Sequence, residues 1–294
     1  MTQTVPVLKP DSMAVHTTIA ELRHHVSGWR RQGSTVALVP TMGALHDGHL
    51  ALIRQAKKCA DRVVASIFVN PTQFSVHEDL AAYPRREAED TAVLAKAGVD
   101  ALFLPSVTEM YPPDFATSVR VTGVSDGLCA TARPDHFAGV ALVVTKLLLQ
   151  ALPDFALFGE KDYQQLQVIR RLVRDLDIPV TVVGVPTVRE TDGLAMSSRN
   201  AYLTSAERQI APDLHRILDH VAARLAEGAL FAELSDAATS HLLGVGFQSV
   251  DYIEFRDADD LTPLDRASRP GRLLAAARLG RTRLIDNVPV PIAR

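Results

Sequence analysis

The spacing of apolar residues changes several times along the chain, and each change marks an element. Over 17–31, Ile19, Leu22, Val26 and Trp29 recur at three- and four-residue steps, which predicts a helix with one buried face. Short apolar, mostly valine-rich runs then alternate with further helical spacing. Strands are expected over 35–39, 62–69, 101–104, 155–158 and 180–185, with helices over 49–60, 86–97, 140–151 and 164–176. Apolar strands separated by amphipathic helices argue for an α/β fold with a parallel sheet covered on both faces. Ligands bind such sheets beyond the carboxyl ends of the strands. Pro40, Asn70 and Gly159 each open a loop at such an end, so three candidate site loops are expected along one edge.

The pattern changes after residue 187. Thr204, Ser205, Ala206 and Glu207 form a helix-start signature, from which one long amphipathic helix is expected to reach about Leu225. Another helix over 233–243 and short strands over 250–255, 272–278 and 282–286 complete a smaller α+β unit. The expected division is therefore 1–187 and 188–294.

Composition narrows the class of partner. The formal net charge is -3 over 294 residues, which implies no general affinity for nucleic acid or an anionic membrane. The most apolar run, 140–152, is interrupted by Lys146 and Gln150 and is too short to span a bilayer. Residues 1–15 carry no apolar signal core. Cys59 and Cys129 stand in no metal-binding or redox spacing, as expected of packing residues in a reducing compartment. A cytoplasmic protein is the expectation.

The most informative stretch runs from Val36 to His49, VALVPTMGALHDGH. It reads as a strand stopping at Pro40, a loop holding Gly43 and Gly48, and a helix beginning near His49. A helix N-terminus offers unpaired N–H groups and a partial positive charge, and so attracts phosphate. Glycine lets a nucleotide approach the backbone, and His46 and His49 add hydrogen bonds or charge. Taken alone, the two histidines also suit an exposed helix start or half of a metal site, although the next ligand type, Cys59, lies well along the following helix. In context the stretch resembles the HxGH signature of adenylyl-transferring enzymes. It matches neither the lysine-bearing loop of phosphate-transferring ATPases nor the dinucleotide fingerprint.

Three further clusters fall on expected loops. In IFVNPTQF, the neutral amide of Gln73 suits a small hydroxy acid, or is an ordinary loop residue. In FGEKDYQQL, Gly159 opens the backbone, Lys161 can meet a phosphate and a carboxylate can bind ribose; the alternative is a charged turn capping a helix. In GLAMSSRN, two hydroxyls beside a guanidinium make a clamp for phosphate oxygens, or a polar linker.

In chain order PTMGALHDGH, SIFVNPTQF, AAYPR, ARPDHFAGV, FGEKDYQQL, VGVPTVRETDGLAMSSRN and RLIDN resemble the pantothenate synthetase (pantoate–β-alanine ligase) family, from about residue 17 to residue 290. The resemblance implies a Rossmann-like, doubly wound nucleotidyltransferase domain, a smaller C-terminal lid domain and a homodimer formed through the first. It implies ATP and Mg2+, with pantoate attacking ATP to give a pantoyl adenylate that β-alanine then attacks. ATP binding falls on Met42, Gly43, Ala44, Leu45, His46, Asp47, Gly48 and His49, then on Gly159, Glu160, Lys161 and Asp162. Val188 and the run Met196, Ser197, Ser198 and Arg199 match the remaining nucleotide contacts. The implied catalytic residues are His49, His46, Lys161 and Arg199, with His49 at the position usually assigned as proton donor. Gln73 matches a residue near pantoate and β-alanine, and Gln165 one near pantoate, with Pro40 and Met42 beside the substrate. Glu89 and Asp90 match acidic positions linked to Mg2+; by themselves they equally suit a solvated helix face.

The chain departs from the family's pattern at two points between residues 129 and 135. Where many relatives read Glu-Gly and then Arg-Pro-Gly-His-Phe, it has Cys129-Ala130 and Arg133-Pro134-Asp135-His136-Phe137. Asp135 adds a negative charge beside the expected anion site and gives up glycine's backbone freedom. Three other readings compete. A nucleotidyltransferase that stops at a nucleotidyl product is opposed by the paired amides Gln73 and Gln165. An RNA binder of the synthetase type is opposed by the lack of a basic patch. An inactive binding protein is opposed by the full set of reactive residues.

Overall fold

The structure, a computed structural model, describes residues 13–74, 80 and 83–293. It opens with strand β1 (Ala14–His16), helix α1 (Ile19–Arg31), strand β2 (Val36–Thr41) and helix α2 (Asp47–Cys59). Strand β3 (Arg62–Ile67), helix α3 (Glu87–Lys96), strand β4 (Ala101–Phe103) and the short helices α4 (Val107–Met110) and α5 (Cys129–Ala132) follow. Helix α6 (His136–Ala151), strand β5 (Phe155–Gly159), helix α7 (Tyr163–Asp175) and strand β6 (Thr181–Val185) close the first unit. All six strands are parallel, in the order β1-β4-β3-β2-β5-β6. The chain therefore builds outward from β2 through β3 and β4, then restarts on β2's other side with β5. Such a switch point leaves a crevice at the carboxyl ends of the two strands, and ligands bind there.

Successive side chains of β2 point to opposite faces of the sheet. Val36 and Leu38 join α1, α6 and α7 in one core, while Ala37 and Val39 join α2 and α3 in the other. None of the four is more than 1% exposed, as a central strand covered on both faces requires.

Past a connecting segment come helices α8 (Ser205–Ile210), α9 (Asp213–Ala226) and α10 (Phe231–Val245). An antiparallel sheet follows, made of β7 (Ser249–Asp257), β8 (Gly271–Leu279) and β9 (Thr282–Val290), with β8 in the middle. Leu214, Leu218, Val221 and Leu225 of α9 share a core with Leu273, Ala275 and Ala277 of β8. Leu274, between them on the opposite face, packs into the core of the first unit instead. The second sheet thus serves both units, one with each face.

Several boundaries differ from the sequence reading, each for a physical reason. Strand β2 does not stop at Pro40 but runs through it. Thr35 O and Thr41 O accept from Arg62 and Phe68 on the β3 side, whereas Val36 O accepts from Asp154 on the β5 side. Alternate residues thus face alternate neighbours, so Pro40 faces β5, whose pairing with β2 ends at Leu38. Its missing N–H costs no ladder bond. The single helix expected from Thr204 to Leu225 is two, α8 and α9, parted at Ala211 and Pro212, because proline cannot donate to the preceding turn. Helix α6 starts at His136, one turn before its apolar period becomes visible. Strand β1 is too short, at three residues, to show a period.

Candidate active site

At the end of β2 the chain turns through Met42 to Leu45 and enters α2 at His46. The two imidazoles hold that helix start by reciprocal bonds: His46 Nδ1 accepts from Gly48 N–H at 3.1 Å, and His49 Nδ1 accepts from His46 N–H at 3.2 Å. Each ring therefore does the work of a capping side chain. Since each Nδ1 is an acceptor, the proton of each neutral ring sits on Nε2. The rings pack 4.2 Å apart, centroid to centroid, and both line the cleft at the switch point. Burial, then the neighbouring His46, pushes the His49 imidazole down to about 3. Burial, then Lys161, lowers His46 as well. Both are neutral hydrogen-bond donors at neutral pH. Gly48 is required here because an added Cβ would lie 2.8 Å from His46 Cε1.

The loop before them faces the other way. Gly43 and Ala44 both adopt positive φ, +85° and +51°. The N–H groups of Ala44 and Leu45 donate to the two carboxylate oxygens of Asp90, at 2.8 and 2.9 Å. Asp90 is buried at 4% exposure, while the adjacent Glu89 side chain is 74% exposed and lies near Arg86. The pair matched to Mg2+ therefore does not converge on one ion. Among the described residues no group of three His, Cys, Asp or Glu gathers to hold a metal. These residues do not fit a protein-held cation, because one carboxylate is spent on backbone N–H groups and the other is solvated.

On the cleft's β3 side, Asn70 donates its amide to Gln73 Oε1 and to Gly139 O, at 3.0 and 3.1 Å. Gln73 in turn donates to Met42 Sδ at 3.2 Å. Helix α6 approaches this turn so closely that a Cβ on Gly139 would lie 2.2 Å from Thr72 O. His136 Nδ1 lies 2.9 Å from Gln73 O, and Arg133 donates to the same carbonyl. The Gln73 carbonyl is thus held by two side chains from the start of α6 and the turn before it.

Beyond β5, Lys161 and Asp162 enter the cleft as a pair 3.8 Å apart. Burial would raise the Asp162 carboxyl, but Lys161, then Arg199, His136 and Arg133, outweigh it and hold it below the ordinary range. Glu160 turns away to Arg272, at 2.8 Å. The turn is fixed from the second unit: Asn287 of β9 donates to Glu160 O and Lys161 O, both at 2.9 Å. Arg272 donates to Asn287 Oδ1 and stacks over the Tyr163 ring at 4.1 Å.

The connecting segment folds back on itself, with Met196 N–H donating to Val188 O at 2.9 Å and Gly193 at positive φ in the bend. That brings Val188 beside Met196, ahead of the turn Ser198–Tyr202 that carries Arg199. Arg189 anchors the segment by a two-pronged bond to Asp286, at 2.7 and 2.9 Å. The Tyr83 hydroxyl is hydrogen-bonded to Ser198.

Pro40, Met42, His46, Gly48, His49, Gln73, Gly159, Lys161, Asp162, Gln165, Val188 and the run Met196 to Arg199 all line one cleft. Gly43, Ala44, Leu45, Asp47 and Glu160 do not line it. Their place is behind the loop, at the exposed helix start and against Arg272. Asn70, Tyr83, Arg133 and His136 line the same cleft without having been singled out as site residues. Each stands inside a motif already quoted, which was the available signal. Cys129, Ala130 and Asp135, where the chain departs from the family pattern, do not line this cleft. Asp135 is exposed and makes no cap bond, and the Cys129 thiol pairs with the Tyr252 hydroxyl at 3.1 Å beside Arg283.

Neutral histidines heading a helix at the switch point of a parallel sheet, with cations opposite, define an adenylyl-transferring α/β protein. The profile of the pantoate–beta-alanine ligase family matches residues 14–289, and the chain belongs to that family. It is 63% identical over 281 residues to the pantothenate synthetase of Paramagnetospirillum magneticum, covering 95% of this chain and 99% of that one. The pantothenate synthetase crystal structure from Thermus thermophilus superposes with a TM-score of 0.90 at 47% identity, covering 95% of this chain and all of that one. The pantoate–beta-alanine ligase from Francisella tularensis, complexed with beta-gamma ATP and beta-alanine, gives 0.80 at 35% identity, covering 94% and 97%.

Proposed function

We propose that the protein joins pantoate to β-alanine at the expense of ATP, giving pantothenate, AMP and pyrophosphate. The observation that carries this reading is the single cleft in which two helix-capping imidazoles, Lys161, Arg199 and the amides of Gln73 and Gln165 meet. In the first step a pantoate carboxylate oxygen attacks the α-phosphorus of ATP, the bond to the β-phosphate oxygen breaks, and pyrophosphate leaves. In the second, the β-alanine amine attacks the acyl carbon and the bond to AMP breaks. Charge grows on the leaving pyrophosphate in the first step. The Nε2–H donors of His46 and His49, with Lys161 and Arg199, meet it from fixed positions. Because both imidazoles are neutral, they stabilise this charge as donors and need not transfer a proton. Gln73 and Gln165 hold pantoate, with Pro40 and Met42 forming the wall beside it. Val188 sits against adenine, and Gly159 and Asp162 against ribose.

Magnesium enters this proposal with the nucleotide, carried on its phosphates; no side chain of this chain is assigned to it. The part from residue 188 onward acts as a lid whose Met196 to Arg199 segment covers the phosphates and excludes water from the acyl adenylate. Two copies associate through the first unit, which carries the exposed apolar residues Val107, Leu149 and Leu152. No helix among the described residues is long and apolar enough to cross a membrane, and a cytoplasmic setting supplies the ATP. An isotope experiment tests the reaction. With heavy oxygen in the pantoate carboxylate, AMP should acquire one labelled oxygen; label that never reaches AMP would rule out the acyl adenylate.

A further inference from the structure

The turn that delivers the two histidines is built like an anion-binding loop, yet the anion it binds is part of the protein. Consecutive residues at positive φ, Gly43 and Ala44, gather neighbouring N–H groups onto one concave side. Ala44 has a Cβ, so its left-handed conformation is strained and needs an external hold. Asp90 supplies that hold with one carboxylate oxygen for Ala44 N–H and the other for Leu45 N–H. The next N–H along, that of His46, goes to His49 Nδ1. Three successive backbone donors are thereby committed in sequence, from Asp90 to the imidazole pair. Asp90 lies in the first turn of α3, whose N-terminal end favours a negative charge. A Cβ on Gly43 would lie 3.0 Å from its Oδ2 and 3.3 Å from Ile67 Cγ2. Glycine is therefore needed both for φ and for the carboxylate's approach.

We infer that Asp90 is a positioning residue for adenylation: an internal anion that sets the Met42–His46 turn and, through it, aims both imidazoles into the cleft. It is not a magnesium ligand. This rests on the reading of His46 and His49 as ligands of the nucleotide phosphates. A carboxylate is specifically required, because an asparagine there would turn its NH2 toward one of the two backbone N–H groups.

The test uses the full chain with Asp90→Asn and, as a second variant should that one not fold, Gly43→Ala, which crowds the same carboxylate from the other side. Pantoate-dependent pyrophosphate formation is measured across Mg2+ concentrations, and the imidazole nitrogen resonances of the ligand-free protein are recorded. The inference predicts that kcat falls roughly 100-fold, as displaced catalytic groups do, with the half-saturating Mg2+ concentration unchanged. It also predicts that the His46 and His49 resonances shift in the absence of any ligand. Restoration of the rate by excess Mg2+ would make Asp90 a metal ligand and overturn it. Wild-type kcat with unshifted imidazoles in a folded variant would overturn it too. If the wild type itself forms no pyrophosphate, the reaction assignment fails, while the imidazole spectra still decide whether Asp90 positions the rings.

Discussion

Replacing His49 by glutamine and by alanine separates a hydrogen-bond donor from an acid. Burial, reinforced by His46, holds the His49 imidazole at about 3, against an ordinary 6.5. Its Nδ1 is committed to the His46 N–H, so Nε2–H is the one proton the neutral ring can offer. A glutamine amide places an N–H in nearly the same position, and alanine places nothing there. Removing one donor from a site that stabilises developing charge costs about 3 kcal/mol, or roughly 150-fold in rate. His49→Ala should therefore slow pantoate-dependent pyrophosphate formation by roughly 100- to 1,000-fold, and His49→Gln by no more than about 20-fold. Single-turnover rates from about pH 5.5 to about pH 9 supply the assay. The wild-type profile should show no imidazole ionisation that belongs to His49. A glutamine variant as slow as the alanine variant would refute the argument. So would a step near neutral pH that disappears with His49, since either result requires a ring that cycles its proton.

The same ring governs stability in acid. Because the folded imidazole titrates below the unfolded one, the unfolded state binds the extra proton between pH 6.5 and about 3. Stability from this group is flat above the unfolded value and falls as pH drops below it, by about 2 kcal/mol between pH 7 and pH 5. His49→Gln should remove that share of the pH dependence, and melting curves of both proteins at several pH values check it. Asn287→Ala deprives Glu160 O and Lys161 O of their donor and buried Arg272 of an acceptor. It should cost roughly 2 kcal/mol in denaturant unfolding and raise KM for ATP more than KM for β-alanine. Gly139→Ala drives a Cβ against Thr72 O and Gln73 N. Steady-state kinetics should show a raised KM for pantoate with little change in KM for ATP.

What could be read from the sequence was what is local. Val36 to Val39 announced a doubly buried strand because all four residues are apolar, and His46, Gly48 and His49 announced a helix start because the signals lie within one turn. Pro212 was a legible stop within the expected long helix, and the apolar period on either side of it concealed the break. The direction of the Gly43–Leu45 backbone was not legible, since it is set by Asp90, far along the chain and on another helix. The same holds for RLIDN: only the fold reveals that Asn287 grips the backbone of the Lys161 turn and that Asp286 anchors Arg189. Gly139 stood just outside the helix expected over 140–151, and its need to be glycine shows only where the Pro71–Gln73 turn packs against it. Glu89 and Asp90 are neighbours on a helix yet face different surroundings, one solvent and the other two backbone N–H donors, a difference that adjacency in the sequence conceals.

AMP and pyrophosphate release by the purified protein, with ATP and Mg2+ and with pantoate and β-alanine added singly and together, tests the central claim most directly. The account predicts no more than stoichiometric pyrophosphate with pantoate alone, nothing with β-alanine alone, and continuous AMP release only when both are present. AMP release that ignores β-alanine, or no turnover under any combination, would contradict it.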